Sequence, residues 1–411
     1  MIEIKGEYNT AKVFTNTADA ATLKQIETLC SQKAFADSTI RIMPDCHAGK
    51  GATIGTTMTI KDKVIPGGVG VDINCGMLVT EIEDRKIDLQ RLDKCIHKCV
   101  PHGSGVNKKP HRWADRIDLS RLRCKDHIKW TNQHLAIGSL GSGNHFISIE
   151  QDEDEVKYLI IHTGSRNLGL QVANYYQQAA YDALHGSDSF HEARAKAEKQ
   201  AIVATLVEEG RDSEISVALK NYKYDPGISR ELLDIPFELC YVEGQLFEDY
   251  IHDMNIAQEF ATLNRLAIAD TIQCGMRWKV KDQWETRHNY IDLDTMILRK
   301  GAISAQKGEI GIIPMNMRDG SLIVQGKGNP DWNFSAPHGA GRVMSRTEAK
   351  NSIPMKDFKD SMEGIFTTSV NASTVDEAPQ AYKPMNEIIN NIQDTCTIIK
   401  QIHPIYNFKA S

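Results

Sequence analysis

Asp72 and Cys75 stand three residues apart in the glycine-rich octamer Val69-Gly70-Val71-Asp72-Ile73-Asn74-Cys75-Gly76. That spacing lets a carboxylate oxygen and a thiolate sulfur converge on one ion. A hard ligand mixed with a soft one suits a borderline transition metal. The octamer equally suits a buried thiol packed as a small apolar residue, with Asp72 satisfying turn amides. His145 follows the glycine-rich loop Gly138–Gly143 and leads into Phe146. His162 closes an apolar run and opens His162-Thr163-Gly164-Ser165-Arg166. His288-Asn289 follows a polar run. One histidine alone is commonly structural. Three, two of them beside glycine turns, extend the candidate metal set to Asp72, Cys75, His145, His162 and His288.

His338 lies in Ala336-Pro337-His338-Gly339-Ala340-Gly341-Arg342-Val343-Met344-Ser345-Arg346. The following glycines leave its ring uncrowded, and a histidine near arginines and bare amides suits attack on phosphorus. Arg342 and Arg346 would share a helical face if a helix starts here. The plainer reading is a helix N-terminus that only binds an anion. Ser165, Arg166 and the turn amides offer a second phosphate site. His47, in Met43-Pro44-Asp45-Cys46-His47-Ala48-Gly49-Lys50-Gly51, also sits in a glycine-rich loop, with Lys50 free to meet phosphate. The loop is not a P-loop, because no Gly-Lys-Ser/Thr opens a helix. His97, His111, His127, His185, His191 and His252 lie in polar or helical surroundings.

Glycine blocks punctuate the chain at Gly49–Gly55, Gly67–Gly76, Gly138–Gly143, Gly164–Gly169, Gly326–Gly328 and Gly339–Gly341. Strand patterns cover Val64–Ile65, Met77–Ile82, Lys157–Ile161, Gly311–Ile313 and Ser321–Val324. Helical periodicity covers Ala20–Lys33, Leu89–Cys99, Leu170–Leu184, His191–Glu209, Leu246–Gln273 and Met385–Ile402. The glycine blocks therefore fall at strand ends and turns, where a backbone can approach a ligand closely. Without regular βαβ alternation the expectation is an α+β fold. We expect one domain over residues 1–411, with a helical excursion at about 170–275 whose most polar part runs from Gly186 to Asp234. The 411 residues are 41% hydrophobic and 25% charged, which excludes a disordered chain. The net charge of −6 argues against a generally basic nucleic-acid binder but permits a local basic groove. No apolar run is long enough for a membrane span. The first residues lack a signal-peptide pattern, and nine cysteines without framework spacing point to reduced thiols and a cytoplasmic protein.

Taken in order, MPDCHAGKGATIG, VGVDINCGM, GSLGSGNHF, HTGSRNLG, HNY, RKGAISA and HGAGRVMSR resemble the RtcB family of RNA ligases, and they span residues 43 to 346. The later Asp376-Glu377-Ala378-Pro379 and Tyr382-Lys383 look like the same family. The resemblance implies mixed sheets around a central metal and nucleotide cleft. It implies GTP and two Mn²⁺ as cofactors, with His338 as the guanylated nucleophile. The substrate would be RNA with a 3′-phosphate or 2′,3′-cyclic phosphate end and a 5′-hydroxyl end, met in tRNA splicing or RNA repair. Cys75 would bridge the ions, one adding His145 and His162, the other Asp72 and His288. Guanylate contacts would come from Asn144, His145, Phe146, Ile147 and Ser148, from His288 and Asn289, and from Pro314, Met315, Asn316, Met317 and Ser321. His338, Gly339, Ala340, Gly341, Tyr382 and Lys409 would complete them. Arg166, Arg342 and Arg346 would meet RNA phosphate. The expected state is a monomer, with room for an accessory activating protein.

The chain departs from the family pattern in places. Ser148 stands where the family usually carries a glutamate, with Glu150 two residues on along the same strand face. Pro314-Met315-Asn316-Met317 replaces the usual Pro-Gly-Ser-Met, and Asn74 and Asn167 replace glycines. Two other functions share much of the residue set: a dinuclear metal phosphoesterase acting on cyclic phosphate ends, and a non-catalytic RNA-end binder.

Overall fold

A computed structural model describes residues 1–409. Alternation along the strand Phe146–Gln151 sends Ile147 and Ile149 to one face and Phe146, Ser148 and Glu150 to the other. That strand lies inside a seven-stranded sheet. The order across it is Val280–Arg287, Gly76–Ile82, Lys157–Thr163, Phe146–Gln151, Cys396–Lys409, Gly320–Gly326, Ile310–Asn316, and every neighbouring pair is antiparallel. One face buries Leu78, Ile147, Ile149, Leu159 and Ile161 against Ile268 and Ile272 of the helix Gly244–Met276 and Leu92 and Ile96 of the helix Leu89–Cys99. Each such fully buried aliphatic side chain stabilises the fold by about 1.5–3 kcal/mol relative to exposure. The opposite face carries Met77, Val79, Ile160 and Ile402, and towards its strand ends it turns polar.

A second sheet of six strands runs Ile2–Lys5, Thr10–Val13, Ile40–His47, Ile54–Thr59, Ile297–Lys300, Tyr290–Asp292, with one parallel pair between Thr10–Val13 and Ile40–His47. Sheets of mainly antiparallel strands and separate helices make the fold α+β. The helix expected over Leu170–Leu184 runs Arg166–His185, and the one expected over Leu246–Gln273 runs Gly244–Met276. The polar stretch from Gly186 to Asp234 forms largely exposed helices: Asp188–Glu208 buries only Leu206, and Ile215–Asn221 buries nothing.

The expectation of a helix over Met385–Ile402 is corrected. That helix stops at Asn391, and Cys396–Lys409 is a 14-residue strand. From Cys396 the inward positions recur every second residue, through Ile402, Pro404, Tyr406 and Phe408. Pairing on both sides, to Gly320–Gly326 and to Phe146–Gln151, supplies the hydrogen bonds a helix would otherwise make. Among the described residues no helix is long and apolar enough to cross a membrane.

Candidate active site

Two adjacent residues in the middle of the helix Gly244–Met276 hold three of the glycine loops together. Both are fully buried. Asn264 Oδ1 accepts from the backbone N–H of Gly138 (2.8 Å) and Ser139 (3.0 Å), and its Nδ2 donates to the Ser139 and Gly164 carbonyls, both at 3.1 Å. Arg265 Nη1 donates to the carbonyls of Asn74 (2.7 Å) and Thr163 (2.8 Å), while its Nε pairs with Glu285 at 2.6 Å. Buried backbone groups need partners, and here two side chains provide them for the loops that carry Asp72, Cys75, His145 and His162. Asn264→Ala would strand several buried groups, each worth about 1–3 kcal/mol. We expect a loss of about 3 kcal/mol or more in denaturant unfolding. A loss under about 1 kcal/mol would show that water replaces the amide.

On that frame the five candidate ligands converge. His145 Nδ1 lies 2.8 Å from the Leu140 carbonyl and His162 Nδ1 lies 3.2 Å from the Asn144 carbonyl. Each ring thus donates from Nδ1 and turns Nε2 towards the other ligands. His145 Nε2 faces Asp72 Oδ2 at 2.9 Å and Cys75 Sγ at 3.5 Å. His162 Nε2 faces Cys75 Sγ at 3.2 Å and His288 Nε2 at 3.3 Å. Acceptor atoms crowded this closely repel unless a proton or a cation lies between them. A carboxylate, a thiol and three imidazoles around shared points fit a borderline divalent ion.

Two groups of ligand atoms lie close enough to share an ion, Asp72–Cys75–His145 and Cys75–His162–His288. The cause is the sheet: His162 projects from Lys157–Thr163 towards the end of Val280–Arg287, where His288 follows, whereas His145 precedes its strand and turns to the octamer loop. Cys75 belongs to both clusters, as expected. The Ser165 amide, expected to face phosphate, donates instead to Asp72 Oδ1 at 3.0 Å. A Cβ on Gly164 would lie 2.2 Å from that same oxygen, so only glycine leaves room for the carboxylate. Burial would raise the Asp72 pKa, but the hydrogen bond and charge of His145 outweigh it and hold the carboxyl below its usual range. Burial and the Asp72 charge push the Cys75 thiol well up, and burial with the neighbouring histidines keeps His162 and His288 neutral. Binding a cation here would therefore displace the thiol proton.

His338 stands beside this centre, its ring centroid 4.8 Å from that of His288. Asp45 Oδ2 accepts from His338 Nδ1 at 2.7 Å and from the backbone N–H of His338 (3.1 Å) and Gly339 (3.2 Å). Nδ1 is thereby the donor, and the Nε2 lone pair is left on the cavity side of the ring. His338 follows the short strand Ser335–Pro337 and is not at a helix N-terminus.

The cavity has a volume of about 280 Å³. Of the residues expected at the nucleotide, it is lined by Asn144, Phe146, His288, Asn289, Pro314, Met315, Asn316, Met317, His338, Gly339, Ala340, Gly341, Tyr382 and Lys409. His145, Ser148 and Ser321 are buried behind the lining. Ile147 is not brought to it: strand alternation turns its side chain into the apolar layer under the long helix. Arg166 is not brought to it either, because its guanidinium donates to Ser139 Oγ and the Gly103 carbonyl. Lys50 is exposed outside the lining. Arg342 and Arg346 do line the cavity but share no helical face. A capping box at Ser345 and Glu348 starts the helix at Arg346, after Arg342 has already bridged to Tyr382. Arg346 Nη1 pairs with Asp376 and Glu377, each at 2.7 Å, and Arg342 Nη1 lies 3.6 Å from Glu377. Lys409 Nζ reaches Glu377 at 2.5 Å and the Asn144 carbonyl at 3.2 Å.

Asp45, Ile54, Gly301, Glu377 and Asn407 also position His338 or line the cavity, beyond the residues expected there. Asp45 lies in the motif around His47, and only the contact across 293 residues to His338 reveals its place.

The profile described as tRNA-splicing ligase RtcB matches residues 25–131 and 116–410. The chain is 31% identical over 409 residues to the RNA-splicing ligase RtcB of Escherichia coli strain K12, covering 90% of each protein. The chain belongs to the RtcB family. It is also similar to the tRNA-splicing ligase RtcB of Aeropyrum pernix, at 28% identity over 84% of this chain and 82% of that protein. RNA-splicing ligase RtcB homolog 1 of Entamoeba dispar is 24% identical over 90% of this chain and 78% of that one. Against the RtcB pattern, the structure accounts for one departure directly. Asn74 takes the place of a glycine at a positive φ of 55°, a conformation asparagine tolerates better than most residues, and its Nδ2 donates to the Gln258 carbonyl at 2.8 Å.

Proposed function

We propose that this chain joins RNA 3′-phosphate ends to 5′-hydroxyl ends through a guanylated His338, using GTP and Mn²⁺. The observation that carries the reading is the Asp45–His338 pair: a tautomer fixed at Nδ1, with the opposite lone pair set beside the candidate metal clusters and the cavity. His338 Nε2 forms a bond to the α-phosphorus of GTP as the bond to pyrophosphate breaks. An oxygen of the RNA 3′-phosphate then takes the GMP from Nε2. The RNA 5′-hydroxyl attacks that activated phosphorus, loses its proton, and expels GMP. A 2′,3′-cyclic phosphate is first opened by water. Two Mn²⁺ held by Asp72, Cys75, His145, His162 and His288 would supply Lewis-acid charge at the phosphoryl oxygens. Asp45 offsets the imidazolium's positive charge as Nε2 becomes bonded to phosphorus, and Lys409, Arg342 and Arg346, held by Glu377 and Asp376, stand at the cavity wall to meet phosphoryl oxygens.

The test is incubation with Mn²⁺, α-labelled GTP and RNA carrying the two end types. We expect acid-labile label on the protein and a sealed strand. An unlabelled protein that opens cyclic phosphate ends without GTP would instead establish the phosphoesterase reading. Asp45→Asn is expected to slow labelling by about 10²- to 10⁴-fold, since a wrong imidazole tautomer withdraws the attacking lone pair. A rate within a factor of about three of the parent would remove Asp45 from the chemistry.

A further inference from the structure

The polar face of the strand Phe146–Gln151 carries hydrogen-bonding groups that the protein does not use. Ser148 Oγ donates to Glu150 Oε1 at 3.0 Å, but Glu150 Oε2 has no partner. Asn407 stands directly across from Ser148 on the neighbouring strand, and its Oδ1 has no partner either. The Ser321 hydroxyl approaches the same carboxyl from behind the cavity lining. Glu150 is 3% exposed and Asn407 4%, yet both line the cavity. Buried acceptors left unpaired cost about 1–3 kcal/mol each, so their persistence at a cavity wall points to a ligand that supplies N–H groups.

We propose that Glu150 and Asn407 select guanine in this chain, taking over the contact that the family's glutamate makes from the position held by Ser148. The inference rests on the reading above that the cavity takes a nucleotide. Two acceptors side by side demand two neighbouring donors. Guanine offers N1–H and the 2-amino group on one edge. Hypoxanthine offers N1–H alone. Adenine offers one amino group beside a bare ring nitrogen that would repel a carboxylate. Moving the carboxylate by two residues keeps it on the same strand face. The shorter Ser148 fills the vacated place and fixes the carboxyl with its hydroxyl. Burial raises the Glu150 pKa to about 7, with the hydroxyls of Ser321 and Ser148 drawing it back; donors from a base edge would favour the ionised form further.

Equilibrium binding of GMP, IMP and AMP in the presence of Mn²⁺, followed by calorimetry, tests the assignment. The parent should bind GMP tighter than IMP and IMP tighter than AMP. Glu150→Gln should cut the GMP-over-AMP preference by about 10- to 100-fold, the worth of a hydrogen bond to a charged group. Asn407→Ala should cut it by about 5- to 10-fold. The double change Ser148→Glu with Glu150→Ser restores the family arrangement and should recover the preference that Glu150→Ser alone loses. An unchanged preference in Glu150→Gln, or no recovery in the double variant, overturns the assignment while nucleotide use stands. A parent that favours AMP also overturns it. A parent that binds none of the three removes the assignment together with the reading beneath it.

Discussion

His338→Ala is expected to abolish capture of labelled nucleotide, with a loss of about 10⁴-fold or more, and to abolish strand sealing with it. The histidines of the candidate metal centre are already engaged. His288 and His162 are buried among the candidate metal ligands, with their nitrogens facing one another and Cys75. Lys409 is tied to Glu377. A covalent route that loses its nucleophile retains only binding and electrostatic assistance, which cannot form the phosphorus–nitrogen bond. The fold should tolerate the change. Asp45 Oδ2 would still accept from the backbone N–H groups at positions 338 and 339, so no carboxylate is left unpaired. Thermal melting within a few degrees of the parent is therefore expected. Label retained at a tenth or more of the parent level would move the nucleophile elsewhere.

Cys75→Ala should have the next largest effect, and it is read on the metal rather than on the product. Cys75 is common to both ligand clusters. Its loss reduces each to two protein ligands, whereas His288→Ala or His145→Ala leaves one cluster whole. Elemental analysis after dialysis against Mn²⁺ should give about two ions per chain for the parent, about one for either histidine variant and almost none for Cys75→Ala. Metal uptake by the parent should also weaken as pH falls, because the raised Cys75 thiol must release its proton to bind. Two tightly held ions in Cys75→Ala would disprove the bridging thiol.

Glycine placement and residue chemistry made most of this centre legible in the chain. Asp72, Cys75, His145 and His162 could be named because each sits next to a glycine turn that frees its side chain, and His288 joined them as the third histidine of the set. Which of these side chains meet depends on strand order: His162 meets His288 only because Gly76–Ile82 lies between their two strands. Asn264 and Arg265 were hidden for a related reason. They read as polar residues of a long helix, and their partners are main-chain groups more than a hundred residues away. The first half of the strand Cys396–Lys409 reads as helix because Ile398, Ile399 and Ile402 continue the stripe of the helix Met385–Asn391. Only the two waiting strand edges decide for the extended form.

That strand also sets the order in which the molecule can be made. It joins Phe146–Gln151 to Gly320–Gly326, and it carries both Asn407 and Lys409 into the cavity. A ribosome that has delivered the chain only as far as residue 390 has produced every candidate metal ligand and His338. The sheet is still in two pieces, each with an open edge able to pair with another nascent chain. His338 and the candidate metal ligands are thus synthesised before the strand that completes the cavity wall. Protection of those edges during synthesis is the demand this topology places on the cell's chaperones.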